Sequence, residues 1–298
     1  MYFFMRHNYI TSKCYYSNMA DWKKILSRGN VEDRRALAPA AVGGLGLTGL
    51  VLYLLVSYLT NGEVNIPLDQ LQTITTENQQ TVNTGEFEGE DFYEVFTSTV
   101  LGSNNDMWAE VFNKENRTYV EPKLVLFRDA TESGCGVADS SVGPHYCSSD
   151  QTIYLDEIFF DELTRLNGSG VGDVAQAYVI SHEVGHHAQN LLGILGAADE
   201  EIQQNQDSAN DMSIGLELQA DCFAGLWAGS LKDQNVLLPG EISEAMDAAA
   251  AVGDDRIQET VTGRISPESW THGSSEQRVS WFTKGYETGT LSSCDTFN

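Results

Sequence analysis

The sequence contains a run of 27 residues, 36–62, that has no Asp, Glu, Lys or Arg. Most of its middle is apolar, and a helix of about 20 apolar residues crosses a hydrocarbon core of about 30 Å. Glycines within the run, such as Gly43 and Gly46, would weaken a soluble helix but are tolerated in a membrane-spanning one. The run therefore predicts a transmembrane helix over residues 36–60, with a buried core helix and a cleaved signal peptide as the alternatives.

The formal charge of the chain changes sign at this run. Over 298 residues the net charge is −26, which divides into +4 for residues 1–35 and −30 for residues 36–298. The positive-inside rule then predicts a single-pass membrane protein with a cytoplasmic amino terminus and an acidic part in the periplasm or on the cell surface. The acidity also argues against a nucleic-acid partner, because phosphate contacts need clustered Lys and Arg.

These patterns predict four segments. They are a basic cytoplasmic head (1–35), the transmembrane helix (36–60), a flexible polar stalk (61–90) and a folded domain (91–298). The predicted fold class is α+β: a mainly helical domain with a small β-sheet, preceded by one transmembrane helix.

Within the folded domain, hydrophobic periodicity separates strands from helices. Alternation predicts strands over 123–128 and 152–155, and the segment GPHYC predicts an edge strand. Helices are expected over about 20 residues from position 91, over 157–166 and over 173–192, and then over about 207–232, 241–252 and 275–285.

Four of the five cysteines lie in the acidic part, which suits an oxidising compartment. Cys135 and Cys147 bracket a short Gly- and Ser-rich loop, and closing a loop of that size is worth about 3 kcal/mol in the chain-entropy model. We therefore predict the disulfide Cys135–Cys147 and, by elimination, Cys222–Cys294. Four buried free thiols are the alternative, because sequence does not fix connectivity.

The chemistry-bearing motif is His182-Glu183-Val184-Gly185-His186, an H-E-x-x-H sequence inside a strong helical pattern. Positions i and i+4 share one face of a helix, so both imidazoles can bind one metal ion. Glu183 would stand beside the metal and take a proton from its bound water. The pattern predicts a site for one catalytic zinc ion.

Catalytic zinc normally has three protein ligands, so a third must come from another segment. The best candidate is Glu217 in the next long helical pattern, with Asp221 one turn later as a hydrogen-bond acceptor for a ligand histidine. Two acids on the buried side of an otherwise apolar helix need partners, and a metal site supplies them. The rival acids are Glu200, Glu201, Glu241 and Glu244.

Two further histidines need an interpretation. His187 points about 100° away from His186 on a helix, which favours a packed or surface role. His272 precedes a predicted helix start, where Ser274 with Gln277 can form a capping box. A structural role for His272 and a role in stabilising an oxyanion are both open.

Several segments together resemble a bacterial family of neutral zinc metallopeptidases (YpfJ-like). They are SHEVGHHAQNLLGI, ELQADCFAGLWA, GDDRIQ, THGSSEQRVSWFTKGY, NVEDRR and the CG…GPHYC loop. The resemblance implies a zincin-like domain of the gluzincin type, with His182, His186 and Glu217 as zinc ligands. It implies Glu183 as the base and Asp221 as the partner of a ligand histidine.

The segment beginning at Thr271 also looks like the T-H-P-x-x-x-x-R segment of membrane-bound heat-shock and prenyl-protein proteases, which raises His272 as an active-site residue. Gly273 stands where those families carry proline. The expected function is a membrane-anchored zinc endopeptidase acting on a peptide or an unfolded protein. A metal-stabilised binding module and a zinc amidase acting on peptidoglycan peptides are the alternatives.

Overall fold

A computed structural model describes residues 20–35, 92–139, 142–160, 163, 172–237 and 240–297 of the chain. The described strands are β1 (Asn30–Asp33), β2 (Lys123–Phe127), β3 (Ala130–Ser133), β4 (Gly136–Asp139), β5 (His145–Cys147) and β6 (Thr152–Asp156). The helices are α1 (Phe92–Lys114), α2 (Asp173–Leu192), α3 (Ile194–Gln204), α4 (Ala209–Ser230), α5 (Ile242–Ala251), α6 (Asp254–Thr262) and α7 (Ser275–Thr288).

Four strands form one sheet in the order β1-β2-β6-β5. Strands β1, β2 and β6 are parallel, whereas β5 pairs antiparallel with β6 and lies at one edge. Strands β2 and β6 are almost wholly buried, which suits their Val-, Leu- and Ile-rich sequences. The predicted edge strand in GPHYC is thus confirmed, and β3 with β4 forms a separate antiparallel hairpin that was not predicted.

The helices pack into a second layer around α2, which contacts α1, α4 and α5. Helix α4 lies against α7 at a very short separation, and glycines make this possible. A Cβ atom on Gly285 would stand 1.9 Å from the carbonyl oxygen of Cys222, and one on Gly225 would stand 2.0 Å from that of Phe282. Only glycine allows the two backbones to approach so closely, so Gly225 and Gly285 set the distance at which α4 and α7 pack.

The segment that precedes the uncharged run belongs to the same core as the rest. Trp22 is buried and packs against Phe96 and Trp227, with ring centroids 5.4 and 6.4 Å apart. Strand β1 follows and pairs in parallel with β2, from Asn30 opposite Lys123 to Asp33 opposite Leu126. Residues 20–35 and the helical layer therefore form one packed body.

This arrangement corrects the predicted fold class and localisation. In the described ranges, no helix is both long enough and apolar enough to cross a membrane. The longest ones carry charged side chains, such as Glu183 in α2 and Asp221 in α4. A single-pass topology would also put β1 and β2 on opposite sides of a bilayer, yet they share a sheet. The described residues thus form a mainly helical domain with a small sheet, and none of their helices could span a membrane. The predicted span at 36–60 and the predicted stalk at 61–90 lie outside the described residues.

Both predicted cysteine pairs lie at bonding distance. The sulfur atoms are 2.10 Å apart in Cys135–Cys147 and 1.99 Å apart in Cys222–Cys294. The first pair ties the β3–β4 hairpin to edge strand β5, and the second ties α4 to a short 3-10 helix at the carboxyl end. Helices α1, α2, α4, α5 and α7 match their predictions to within a few residues, whereas α3 and α6 were not predicted and half of 157–166 is not described.

Candidate metal centre

Two helices bring three donor side chains together. Helix α2 carries His182 and His186, and the neighbouring helix α4 carries Glu217. Glu217 Oε2 lies 3.2 Å from His182 Nε2, and Glu217 Oε1 lies 3.4 Å from His186 Nε2. In the part of the chain that the structure describes, this is the one group of three or more His, Cys, Asp and Glu side chains whose donor atoms all lie within 4.8 Å of one another.

The other ring nitrogen of each imidazole is held by its own acceptor. His182 Nδ1 donates to Asp221 Oδ1 at 2.9 Å, and His186 Nδ1 donates to Gln189 Oε1 at 2.9 Å. Gln189 is in turn fixed by donating to the carbonyl of Leu216 at 2.7 Å. With Nδ1 as the donor in each ring, loss of the Nε2 proton would direct both Nε2 lone pairs at the space beside Glu217, which is the tautomer that metal binding requires.

Asp221 is the centre of a buried polar network. It accepts from Tyr178 Oη at 2.6 Å and from Arg278, whose Nε and Nη2 lie 2.8 and 3.0 Å away. Arg278 also reaches Glu217, with Nη2 and Oε2 3.7 Å apart. Arg278 is only 4% exposed and its charge balances the acids of the site, a role that no sequence pattern predicted.

The electrostatics of the cluster reflect this pairing. Burial would raise the pKa of Glu217, but His186 and His182 hold it well below its usual range. Burial would lower the pKa of His182, but the Asp221 and Glu217 carboxylates raise it to about 10. The cluster therefore combines a charged carboxylate with a histidine that holds its proton firmly. A bound metal cation would take the place of that proton.

The residues present fit a zinc ion. Zinc in proteins is bound by histidine nitrogen and carboxylate oxygen at about 2.0–2.2 Å in a tetrahedron, which places neighbouring donor atoms about 3.3 Å apart. The two nitrogen-to-oxygen separations of 3.2 and 3.4 Å match that edge length. A zinc ion held by these residues would keep its fourth position for water, on the side where the three donors border a cavity.

That side is an open cavity of about 560 Å³. Glu183 lines it next to the cluster and is itself buried. Edge strand β5 lines it through His145 and Tyr146, and His272 borders it from the segment before α7. The cavity thus places Glu183 and a strand edge beside the candidate metal position.

His272 is 48% exposed and stands on a loop that Asp254 organises. Asp254 Oδ2 accepts from the backbone N–H groups of Thr271, His272 and Gly273 at 2.7, 2.6 and 3.1 Å. Asp254 Oδ1 lies 3.2 Å from His272 Nδ1. Gly273 has φ +89°, which proline cannot adopt, so this loop differs from the T-H-P segments that it resembles. The predicted capping box of Ser274 and Gln277 is present in α7.

His187 is fully buried, as the packed interpretation predicts. Its Nε2 donates to the carbonyl of Val120 at 2.6 Å, and its Nδ1 accepts from Tyr146 Oη at 3.0 Å. Asn190 donates to the same hydroxyl at 2.9 Å. Burial lowers the pKa of His187, so its neutral ring joins helix α2 to edge strand β5.

The rival acids lie away from the cluster. Glu200 and Glu201 are exposed on α3. Glu241 and Glu244 lie at the start of α5, where the charge of Asp173 adds to burial in raising the pKa of Glu244. None of these four belongs to the group of donor atoms around His182.

Comparisons with known proteins agree with these features. The chain is 42% identical to the "Uncharacterized protein YpfJ" of Escherichia coli K12 over 285 residues, which cover 93% of this chain and 98% of that protein. It is 48% identical over 190 residues to the "Uncharacterized protein Rv2575" of Mycobacterium tuberculosis, covering 60% of this chain and 64% of that protein. No solved structure matches it. A family model described as "Putative neutral zinc metallopeptidase" matches residues 20–297, and the chain belongs to that family.

Proposed function

We propose that this protein is a zinc-dependent endopeptidase that cleaves extended or unfolded polypeptides. The observation that carries the proposal is the position of Glu183, which lines the open cavity beside the His182, His186 and Glu217 cluster. A binding module would need the three ligands but would not need a carboxylate at this position. Membership of a family described as zinc metallopeptidases supports zinc as the metal, and the three donor side chains fit that ion.

Each residue has a distinct part in the proposed reaction. His182, His186 and Glu217 hold the zinc ion, which when bound lowers the pKa of a water molecule to about 7 and polarises the scissile carbonyl. Glu183 accepts the proton of the attacking water and delivers it to the leaving amine. His272, at the rim of the cavity, donates to the oxygen of the tetrahedral intermediate.

The substrate backbone would pair with edge strand β5. This strand borders the cavity and has a sheet partner, β6, on one side. An extended peptide can add to such an edge through main-chain hydrogen bonds that do not depend on side chains. Tyr146 joins this strand to helix α2 through its hydrogen bonds with His187 and Asn190. The proposed class of substrate is therefore a polypeptide in extended conformation.

The decisive experiment compares the full chain with its Glu183→Gln variant. Both are assayed for bound zinc and for cleavage of an unfolded protein, and Glu201→Gln on exposed helix α3 is the matched control. We expect equal zinc in all three proteins and cleavage that falls by about 10²–10⁴-fold only in Glu183→Gln. Equal cleavage by Glu183→Gln would refute the base, and bound zinc without cleavage in any variant would favour the binding module.

Two further substrates test the substrate class. Peptides with single N-methylated amides lose one main-chain donor, and we expect KM to rise at alternating positions, as strand pairing requires. An equal response at every position would argue against strand addition. Cleavage of peptidoglycan stem peptides without cleavage of unfolded protein would replace the endopeptidase with the amidase.

A further inference from the structure

Two buried glutamines connect the candidate metal centre to a distant part of the chain. Gln189 on α2 is fully buried, and Gln219 on α4 is 5% exposed. Gln189 Nε2 donates to Gln219 Oε1 at 3.1 Å, and Gln219 Nε2 donates to the carbonyl of Cys294 at 2.9 Å. Because Gln189 Oε1 accepts from His186 Nδ1, an unbroken series of hydrogen bonds joins a candidate metal ligand to Cys294. We call Gln189 and Gln219 the amide pair.

Backbone carbonyls fix the direction of both amides. A carbonyl oxygen can only accept a hydrogen bond, so the NH2 group of Gln219 must face Cys294. In the same way, the NH2 group of Gln189 must face the carbonyl of Leu216. The amide oxygen of Gln189 is then left for His186, whose Nδ1 must be the donor. All of these groups agree on one arrangement, in which Nε2 is the nitrogen of His186 that is left for a metal ion.

Gln219 adds a second acceptor to the amide of Gln189. With the Leu216 carbonyl alone, 2.7 Å away, the amide could turn about that one hydrogen bond. Two acceptors engage both N–H groups, and they define the plane in which the amide oxygen points at His186. Without Gln219, a buried N–H of Gln189 would lose its protein partner, which costs free energy. Gln219 therefore determines how firmly Gln189 orients the candidate ligand.

The carbonyl of Cys294 is itself held against α4. Cys294 is bonded to Cys222, which lies three residues after Gln219 and therefore on the same side of the helix. One turn of α4 thus holds the 3-10 helix Leu291–Cys294 by a covalent bond and by a hydrogen bond. The disulfide keeps the carbonyl beside Gln219, although neither cysteine belongs to the group of candidate ligands.

We propose that Gln219 is a positioning residue for the metal centre, and that the Cys222–Cys294 disulfide supports metal binding through it. The structure orients His182 with the charged side chain of Asp221, whereas it orients His186 with neutral amides. Removing Gln219, or freeing the segment that carries Cys294, would loosen His186 without changing any ligand. This inference rests on the metal site of the proposed function and does not depend on which substrate is cleaved.

The first test is the variant Gln219→Met, which removes both hydrogen bonds and keeps the length of the side chain. We expect zinc affinity, measured by competition with a chromophoric chelator, to fall about tenfold, at the lower end of the range for groups that orient ligand histidines. The matched control is Thr296→Val, which removes the hydrogen bond of 2.7 Å from Thr296 Oγ1 to the carbonyl of Gly215 on α4. The control leaves the amide pair intact and should bind zinc like the wild type. Equal losses in the two variants, or wild-type affinity in Gln219→Met, would overturn the proposal.

A double-mutant cycle shows whether Gln219 acts through Gln189. In the Gln189→Leu background, Gln219→Met should cause no further loss of zinc affinity, because the oriented amide is already absent. Additive losses would mean that Gln219 acts by another route, which would refute the proposal. In the zinc-loaded protein, NMR should also show faster solvent exchange of the His186 Nδ1 proton in Gln219→Met than in the wild type or in Thr296→Val. Equal exchange rates would contradict the positioning role.

The disulfide offers a test that leaves Gln219 in place. The double variant Cys222→Ala/Cys294→Ala frees the segment and adds no thiol that could bind zinc. We expect weaker zinc binding than in the wild type, whether or not Gln219→Met folds, and wild-type affinity without the disulfide would overturn the proposal. A wild type that binds no zinc would contradict the proposed function as well. A wild type that binds zinc, with an affinity that none of these changes lowers, would refute this inference alone.

Discussion

Replacing Asp221 with asparagine tests the buried network behind the candidate metal centre. The substitution keeps the shape of the side chain but removes its charge. Asp221 is fully buried and accepts from Tyr178, His182 and Arg278. In the variant, an amide N–H would face either His182 or Arg278, each of which is itself a donor. One donor is left unsatisfied, and Arg278 keeps only the more distant Glu217 as a counter-charge.

The contacts set the size of the expected effect. Removing one partner of a buried ion pair leaves an uncompensated charge and costs about 3–5 kcal/mol of unfolding free energy. Loss of the acceptor that orients a ligand histidine lowers metal affinity by about 10–100-fold. Asp221→Asn is therefore expected to change both quantities, while Asp199→Asn on the exposed face of α3 should stay within about 0.5 kcal/mol.

Two measurements separate these effects. Urea unfolding in the presence of a chelator gives the free energy of the metal-free protein, and competition with a chromophoric chelator gives the zinc affinity. The double variant Asp221→Asn/Arg278→Met removes both charges, so it should recover at least about 1 kcal/mol relative to Asp221→Asn alone. If the two substitutions are instead additive, or if Asp221→Asn binds zinc like the wild type, the proposed role of this pair is refuted.

Three further predictions concern groups outside the ligand set. Gln189→Leu removes the acceptor of His186 Nδ1, so zinc affinity should fall about 10–100-fold, measured by chelator competition with exposed Gln204→Leu as control. Asp254→Ala frees the His272 loop, so kcat should fall about 10–100-fold with bound zinc unchanged; a normal kcat would show that the loop does not position a catalytic group. The chain-entropy model gives losses of about 4.4 kcal/mol for Cys294→Ser and about 2.8 kcal/mol for Cys147→Ser, from sequence separations of 72 and 12, and the reverse order in urea unfolding would contradict it.

The parts of the site that sequence could predict are those set by local periodicity. His182 and His186 are one helical turn apart, and the predicted helix 173–192 is the observed α2. Glu217 and Asp221 have the same spacing on α4. Packing of α2 against α4 therefore brings this acidic pair into contact with the histidine pair. The contact of Gln189 with His186 could have been predicted in the same way, because the two residues are three positions apart on one helix. A glutamine, however, rarely indicates a metal site.

Other features depend on contacts between segments that are distant in sequence. Arg278 meets Asp221 across 57 residues, and Asp254 meets His272 across 18. Strand β1, with the sequence NVED, has one apolar residue and two acids, so no alternation marks it as a strand. The predicted span relied on the composition of residues 36–62, and its predicted orientation relied on the flanking charges. Neither contains the pairing between β1 and β2, which joins segments that are distant in sequence.

The pairing of β1 with β2 means that the domain is discontinuous in sequence. A shortened fragment that begins after residue 36 would lack Trp22 and β1 while retaining everything that packs on them. It would expose Trp227 together with the unpaired edge of the buried strand β2. An exposed apolar strand edge can form hydrogen bonds with strands of other chains, which leads to aggregation. Such a fragment would be expected to aggregate on production, so inactivity in it would report a missing strand and not a missing catalytic group.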